Sequence, residues 1–327
     1  MKIKKPNIGV IGVGHLGQYH TKHYKSITQA NLVGVYDANH TRGNEIAKTH
    51  NTKFFNKLST LLKECDGVSI VTPTESHFDV AKMAIKDFNC HVFIEKPITT
   101  TLNEADELIE LAKIKNKIIQ VGHIERLNPT LQGLKPYNIT PKFIEIQRLA
   151  PYTTRGTDVP VVLDLMIHDI DILLSLVKSE VETIHATGVS ILTESVDIAN
   201  ARIRFKNGTV SNITSSRIAK DKVRKIKIFQ ENLYSTLDLL LEQTEIYSIA
   251  KDPKKYSKAI KTEVFNNKKH IIYEKPTLKK RDLLNVELKN FIEVIKNNEQ
   301  PIVDGIEARN ALQVAIQIHD MIIKDLK

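Results

Sequence analysis

From residue 7 to residue 121 the chain alternates short β-branched runs with stretches whose apolar residues recur every three or four positions. These are the periods of a strand and of an amphipathic helix. The runs fall at Asn7–Ile11, Asn31–Tyr36, 67–71, 91–94 and 117–121, with a weaker one at 52–55. Strand and helix in alternation predict a parallel sheet covered by helices on both faces. Helix starts carry their own marks. Thr101 and Glu104 stand at the spacing of a capping box, and Asn128 sets a cap ahead of Pro129 at a first helical position.

Beyond Pro141 the pattern changes to one long apolar helix over 161–177, followed by several strands. Two of these, 195–205 and 209–218, are joined by Asn207-Gly208, a strong hairpin turn, so the sheet is antiparallel. Helix returns at 280–297 and again after Asp304-Gly305. The expected organisation is an α/β dinucleotide-binding domain over 1–123 and an α+β domain over 124–327. The charged stretch 251–269 is expected to be solvated strand and loop.

Composition narrows the class. At 327 residues, 41% hydrophobic and 26% charged, the chain suits two ordinary soluble domains. No apolar run approaches the roughly 20 residues of a membrane span. The basic N-terminus leads into an apolar stretch punctuated by glycines, which is a strand and not a signal peptide. The two cysteines, Cys65 and Cys90, make neither a disulfide framework nor a zinc site, and a reducing, cytoplasmic setting is expected. The net charge of +9 is scattered along the chain. A compositional bias explains the scatter more simply than a nucleic-acid or anionic partner does, and no nucleic-acid-binding module accompanies the charge, so a small-molecule substrate is expected, with neither nucleic acid nor membrane.

Gly12-Val13-Gly14-His15-Leu16-Gly17 follows an apolar run and opens a helical one, the context a dinucleotide fingerprint requires. Gly12 permits the tight turn, Gly14 lets the backbone approach a pyrophosphate, and Gly17 lets helix pack on strand, with the helix N-terminus offering N–H groups. Asp37 ends the second run about 20 residues on, where a carboxylate accepts from the adenosine ribose, so NAD is favoured over NADP. Arg42 is near enough in sequence to weaken that preference.

Two further segments fall at the carboxyl ends of expected strands, where ligands of open α/β sheets bind. They are Thr72-Pro73-Thr74-Glu75-Ser76-His77 and Glu95-Lys96-Pro97. An amine at Lys96 can serve as acid or base, and a nearby nicotinium ring would lower its pKa. The apolar helix at 161–177 carries Asp164, His168, Asp169 and Asp171, groups that are costly to bury unless paired or employed. Asp164, His168 and Asp171 are spaced i, i+4, i+7 and are expected on one face. A carboxylate one turn from a histidine can orient it for proton transfer.

With these residues in place, the chain resembles the Gfo/Idh/MocA family of sugar and polyol dehydrogenases over nearly its whole length. The resemblance rests on the glycine fingerprint, Thr72-Pro73 with His77, Glu95-Lys96-Pro97, and the Asp164, His168, Asp171 helix, in that order. It implies a Rossmann domain binding NAD and a C-terminal domain with an open, mostly antiparallel sheet. It also implies Lys96 and His168 as the acid/base groups, Asp164 as a substrate ligand or orienter, a cis bond before Pro97, and a homo-oligomer. Met166 departs from the family, many of whose members carry glycine there.

The segments around His123 to Pro129, Arg148 to Pro151 and Arg155 to Val159 look like the branch acting on UDP-N-acetylglucosamine. That branch oxidises the sugar at C3 ahead of an amination, a step toward amide-linked lipid A. Carried over, it implies His123, Arg126, Arg148 and Arg155 at the substrate, the arginines as planar donors suited to a diphosphate or uracil. Another sugar or inositol substrate in the same family, a ketoreductase, and a non-catalytic NAD(H) sensor are the other readings. A sensor would need neither Lys96 nor His168.

Overall fold

A computed structural model of the chain describes residues 5–153, 159–250, 261–265 and 269–326. Six strands, β1 (Asn7–Ile11), β2 (Asn31–Tyr36), β3 (Lys53–Phe54), β4 (Gly67–Ile70), β5 (His91–Glu95) and β6 (Ile119–Gly122), form one sheet in the order 3-2-1-4-5-6. All its pairings are parallel. The connecting helices are α1 (Gly17–Ser26), α2 (His40–Thr49), α3 (Leu58–Leu62), α4 (His77–Lys86) and α5 (Leu102–Lys115). Because helices shield both faces, β1, β4 and β5 bury consecutive residues: Ile8, Val10, Val68, Ile70, Val92, Phe93 and Ile94 are all inaccessible. The capping box forms as expected, with the Thr101 hydroxyl accepting from Glu104 N–H and the Glu104 carboxylate from Thr101 N–H.

The second sheet alternates instead. Its strands are β7 (Phe143–Leu149), β8 (Val181–Val189), β9 (Ile198–Phe205), β10 (Val210–Ser216), β11 (Val223–Gln230), β12 (Leu233–Asp238), β13 (Gln243–Ala250), β14 (Lys261–Phe265) and β15 (Lys269–Glu274). Nine strands lie in the order 14-15-13-12-11-7-10-9-8. Every pairing is antiparallel except β7 with β10. In β9, Ala199, Ala201, Ile203 and Phe205 point into the core between polar neighbours, the mark of a sheet buried on one face. Gly208, at φ +84°, supplies the hairpin into β10.

A tight loop joins β8 to β9, and its anchor is Asp197. The buried carboxylate accepts the N–H groups of Ile191, Leu192 and Thr193 at 2.8, 2.7 and 3.0 Å and the Thr193 hydroxyl at 2.7 Å. Burial works to raise this carboxyl, but the donors outweigh it and bring it down to about 2. A depressed folded value means stability present above the unfolded value of about 4 and lost as pH falls through 2. Wild type should therefore outlast Asp197→Asn in thermal melts by the widest margin above pH ~4, the gap closing toward pH ~2. A gap independent of pH would show that the charge is not what holds the loop.

The chain divides into two compact units, the first cut falling at 124/125, one residue from the expected boundary. One comprises residues Met1–Ile124 with Asp282–Leu312, the other Glu125–Arg281 with Gln313–Lys327. The remaining helices are α6 (Pro129–Gln132), α7 (Ile167–Val177), α8 (Leu283–Asn297) and α9 (Gly305–Asp325). The segment 282–312, expected in the second domain, belongs with the first because the apolar face of α8 closes its core. Leu288, Phe291, Ile292 and Val294 pack with Ile8, Val10, Val35 and Phe93, and the Phe291 and Phe93 rings meet edge to face at 5.9 Å between centroids.

The helix expected over 161–177 is helical throughout, but Val162–Met166 forms a π turn ahead of α7. Met166, the residue that departs from the family, is buried at the end of that turn.

Candidate active site

In the first unit, β1, β2, β4, β5 and β6 all release their chains at the same edge of the sheet. Gly12, Asp37, Thr72, Lys96 and His123 follow them in that order. Strand order reverses direction between β1 and β4, which opens the crevice where such sheets take ligands.

The three glycines of the first loop are required for three different reasons. Gly12 has φ +82°, and a Cβ there would meet the Val71 carbonyl oxygen at 2.7 Å. At Gly17 a Cβ would lie inside the Gly12 carbonyl oxygen. Around Gly14 nothing in the protein lies within 4 Å of a Cβ, so the space its missing side chain leaves is available to something outside the fold. Gly14, His15 and Leu16 are exposed, and α1 begins with no side-chain cap and no acidic residue in its first turn. Its N-terminal N–H groups and dipole suit an anion.

Asp37 is locked beside this loop. Its carboxylate accepts Val13 N–H at 2.7 Å and Asn39 N–H at 2.8 Å, one through each oxygen, and each oxygen keeps a lone pair for a ribose hydroxyl. Arg42 does not compete, since its guanidinium donates to the Val13 carbonyl at 3.1 Å and to Glu45 at 2.9 Å. The Thr72 hydroxyl oxygen is buried with no hydrogen-bond partner among the described residues. An open space at Gly14, an anchored carboxylate at Asp37 and an orphaned hydroxyl at Thr72 all fit a dinucleotide. Calorimetry should find NAD(H) bound more tightly than NADP(H), and Asp37→Ala should bring the two together, mainly by weakening NAD(H). Equal affinities in the wild type would contradict this assignment.

His77, expected among the cofactor ligands, faces protein instead. Its ring nitrogens lie 2.9 Å from the Pro97 carbonyl oxygen and 3.0 Å from that of Thr72. Burial lowers the imidazole below its ordinary value against the pull of those carbonyls. A neutral His77 can donate to only one of these carbonyls, but both its nitrogens face the backbone of the Thr72 and Lys96 turns and neither is turned to a ligand. The Lys96–Pro97 bond is cis. Glu95 is held by His20, whose Nε2 lies 3.0 Å from its carboxylate. Sequence reading missed His20, which lies one turn inside α1 and carries no motif of its own.

In the second unit, the arginines expected at a diphosphate are engaged elsewhere. Arg148 is buried, donating through Nε and Nη2 to Asp169 at 2.7 and 2.8 Å and through Nη1 to Glu125 at 3.1 Å. Burial works to lower this guanidinium, but the carboxylates outweigh it and keep it charged. Arg126 makes a second bidentate pair with Asp171, at 2.8 and 3.0 Å. Both arginines are thus builders of the unit, fixing α7 by two adjacent clamps. Arg155 lies outside the described residues.

Asp171 is correspondingly turned to a protein partner. It is fully buried against Arg126, whereas Asp164 and His168 remain partly exposed. The wider i→i+5 turn at 162–166 shifts the phase of Asp164 against His168 and Asp171, which both lie in the regular α7. His123 is buried. Among the described residues no cluster of three or more His, Cys, Asp or Glu could hold a metal ion, and no helix is long and apolar enough to cross a membrane.

Comparison with known proteins agrees with this architecture. Residues 6–123 match the model of the Gfo/Idh/MocA oxidoreductase family, described as an NAD-binding Rossmann fold, and residues 144–232 match the C-terminal domain of the same family. The UDP-N-acetylglucosamine 3-dehydrogenase of Acidithiobacillus ferrooxidans is 36% identical over 311 residues, 95% of either chain. A solved structure of that enzyme superposes with a TM-score of 0.89, covering 99% of this chain and 100% of its own. The myo-inositol 2-dehydrogenase of Thermotoga maritima is 26% identical over 93% of this chain and 92% of its own. The glycine loop, the Glu95-Lys96-Pro97 turn and the two sheets are those of an NAD-dependent oxidoreductase, and the chain belongs to the Gfo/Idh/MocA family.

Proposed function

We propose that the chain oxidises the C3 hydroxyl of UDP-N-acetylglucosamine to the 3-ketone. The observation that carries this reading is the 36% identity, over 95% of both chains, to an enzyme named for that reaction. The oxidation breaks a C–H and an O–H bond. NAD+, when bound, accepts the hydride. The first unit supplies the cofactor groups, from Gly12, Gly14, His15, Leu16, Gly17, Asp37, Thr72 and Pro73 to Glu95 and Lys96. For the sugar, the second unit supplies Asp164 and His168, and the first supplies His123 at the end of β6. Lys96 and His168 are the acid/base groups, and either can take the hydroxyl proton.

The net charge of +9 favours a dianionic nucleotide sugar by long-range attraction, even with Arg126 and Arg148 spent on structure. The ketone is open to amination, and we read the chain as part of cytoplasmic amino-sugar synthesis toward lipid A. Homo-oligomerisation fits the open sheet, on which Phe143, Phe229, Tyr234, Tyr247 and Tyr273 make a continuous ladder of ring contacts across five neighbouring strands, β7, β11, β12, β13 and β15. A stripe of this kind supplies the large apolar contacts that subunit interfaces use.

NADH formation measured across UDP-N-acetylglucosamine, free N-acetylglucosamine and myo-inositol tests the reading. Turnover of the UDP-sugar should exceed the others by at least tenfold, and its KM should rise with salt. The inositol reading has the weaker similarity to the Thermotoga enzyme behind it. Inositol turned over as well as the UDP-sugar, without salt dependence, would replace the first reading with the second.

A further inference from the structure

Beneath the carboxyl ends of β4 and β5 a buried chain of three polar groups, Tyr24, Ser69 and His20, leads to Glu95, and none of the three has a binding role above. Tyr24 Oη lies 3.3 Å from Ser69 Oγ, Ser69 Oγ lies 3.1 Å from His20 Nδ1, and His20 Nε2 lies 3.0 Å from Glu95 Oε1. Tyr24, Ser69 and His20 are all buried, and the Phe93 ring closes on His20 edge to face at 5.5 Å. His20 and Tyr24 sit four residues apart on one face of α1, Ser69 is on β4, and Glu95 ends β5.

The carboxylate orders the rest. An ionised Glu95 can only accept, so His20 carries its proton on Nε2, and Nδ1 is left to accept the Ser69 O–H. Ser69 in turn accepts the Tyr24 O–H. Burial pushes the Tyr24 phenol well above its ordinary value, which keeps it a donor. Burial works to raise Glu95, but the hydrogen bond from His20, the charge of Lys96 across the turn and the Lys96 backbone N–H outweigh it and hold the carboxyl below the usual range. Gly122 on β6 leaves room for this carboxylate, since a Cβ there would meet its Oε2 at 2.9 Å.

We propose that His20 is a positioning residue for the reaction, acting on Lys96 through Glu95 and touching neither substrate nor cofactor itself. It rests on reading Lys96 as an acid/base group. Glu95 fixes the backbone of the Lys96 turn through one N–H and sets a negative charge beside the Lys96 side chain. Ser69 and Tyr24 favour the Nε2–H tautomer of His20. The other titratable groups that bear on this chain include His23 on α1, His77 on α4 and Glu287 on α8.

The test uses the full chain with NAD+ and UDP-N-acetylglucosamine. In His20→Leu the buried Glu95 loses its donor and becomes neutral. Lys96 then loses the opposite charge beside it. Expected are a fall in kcat of about tenfold or more, KM and NAD+ affinity within about twofold, and an acid shift of about one unit in the Lys96 limb of the rate profile. His20→Gln, whose amide can present an N–H to Glu95, should restore most of the rate and return the limb. Ser69→Ala should show the same changes in smaller measure. A purely structural role would lower the melting temperature and leave the limb in place, which overturns the proposal, as does an unchanged rate in His20→Leu. Should His20→Leu fail to fold, 15N-histidine NMR of the wild type decides: the Nε2–H tautomer of His20 between pH 6 and 8 is expected, and the Nδ1–H tautomer overturns the assignment. Lys96→Met separates the two readings. If it retains turnover, the role of Lys96 fails and the proposal with it. If it abolishes turnover while His20→Leu moves neither rate nor limb, only the role of His20 fails.

Discussion

Lys96→Met and His168→Ala should each lower turnover of UDP-N-acetylglucosamine by about 10²-fold or more, with NAD+ affinity by calorimetry unchanged within a few fold. Lys96 stands at the end of a buried strand, in a turn braced by His77 from one side and Glu95 from the other. So rigid a mounting for a flexible amine suits a group that must meet a reacting atom. His168 follows the π turn, and the residues around it, Asp169 and Asp171, are pinned by arginines while its own ring stays partly exposed. Removing a histidine so placed should spare the core. Unchanged turnover in both variants, or losses that track melting temperature, would return both residues to a structural role.

Arg148→Ala should destabilise the fold by about 3–5 kcal/mol, measured from urea midpoints, because it strands the buried Asp169 carboxylate without its bidentate partner. Glu125 keeps Arg224 at 2.8 Å and is the lesser loss. Arg148→Lys should recover only part, since a point charge cannot hold two carboxylate oxygens in the same plane. If Arg148 bound the diphosphate, the main effect would appear in KM instead, with the midpoint nearly unmoved. A loss below about 1 kcal/mol would remove Arg148 from the framework.

That contrast explains where sequence reading stopped. The parallel sheet was legible because its central strands are short β-branched runs buried along their length, and the glycine loop because each glycine answers a separate local demand. The partners of charged side chains were not legible. Arg148 and Asp169 are 21 residues apart, Arg126 and Asp171 are 45, and His20 and Glu95 are 75. A sequence presents such groups as loose charges, and only the fold shows which are consumed. Likewise the i, i+4, i+7 spacing of Asp164, His168 and Asp171 presumes an unbroken α-helix, whereas a π turn shifts Asp164 against the other two and the Arg126 pair takes Asp171 into the interior. The apolar stripe of α8 was readable as a stripe, but nothing in its period says which of two sheets it will cover.

The return of α8 to the first sheet bears on biosynthesis. A ribosome releases the whole six-stranded sheet before it begins the residues that fill one side of its core. At about 5–20 residues per second, Leu288, Phe291 and Ile292 arrive on the order of 10–30 s after β6. Through that interval the nascent sheet carries an uncovered apolar surface around Ile8, Val10 and Phe93, the kind of surface that chaperones hold and that aggregation exploits. The cofactor loop is encoded first, yet the unit that carries it completes its core only once nearly nine-tenths of the chain has been made.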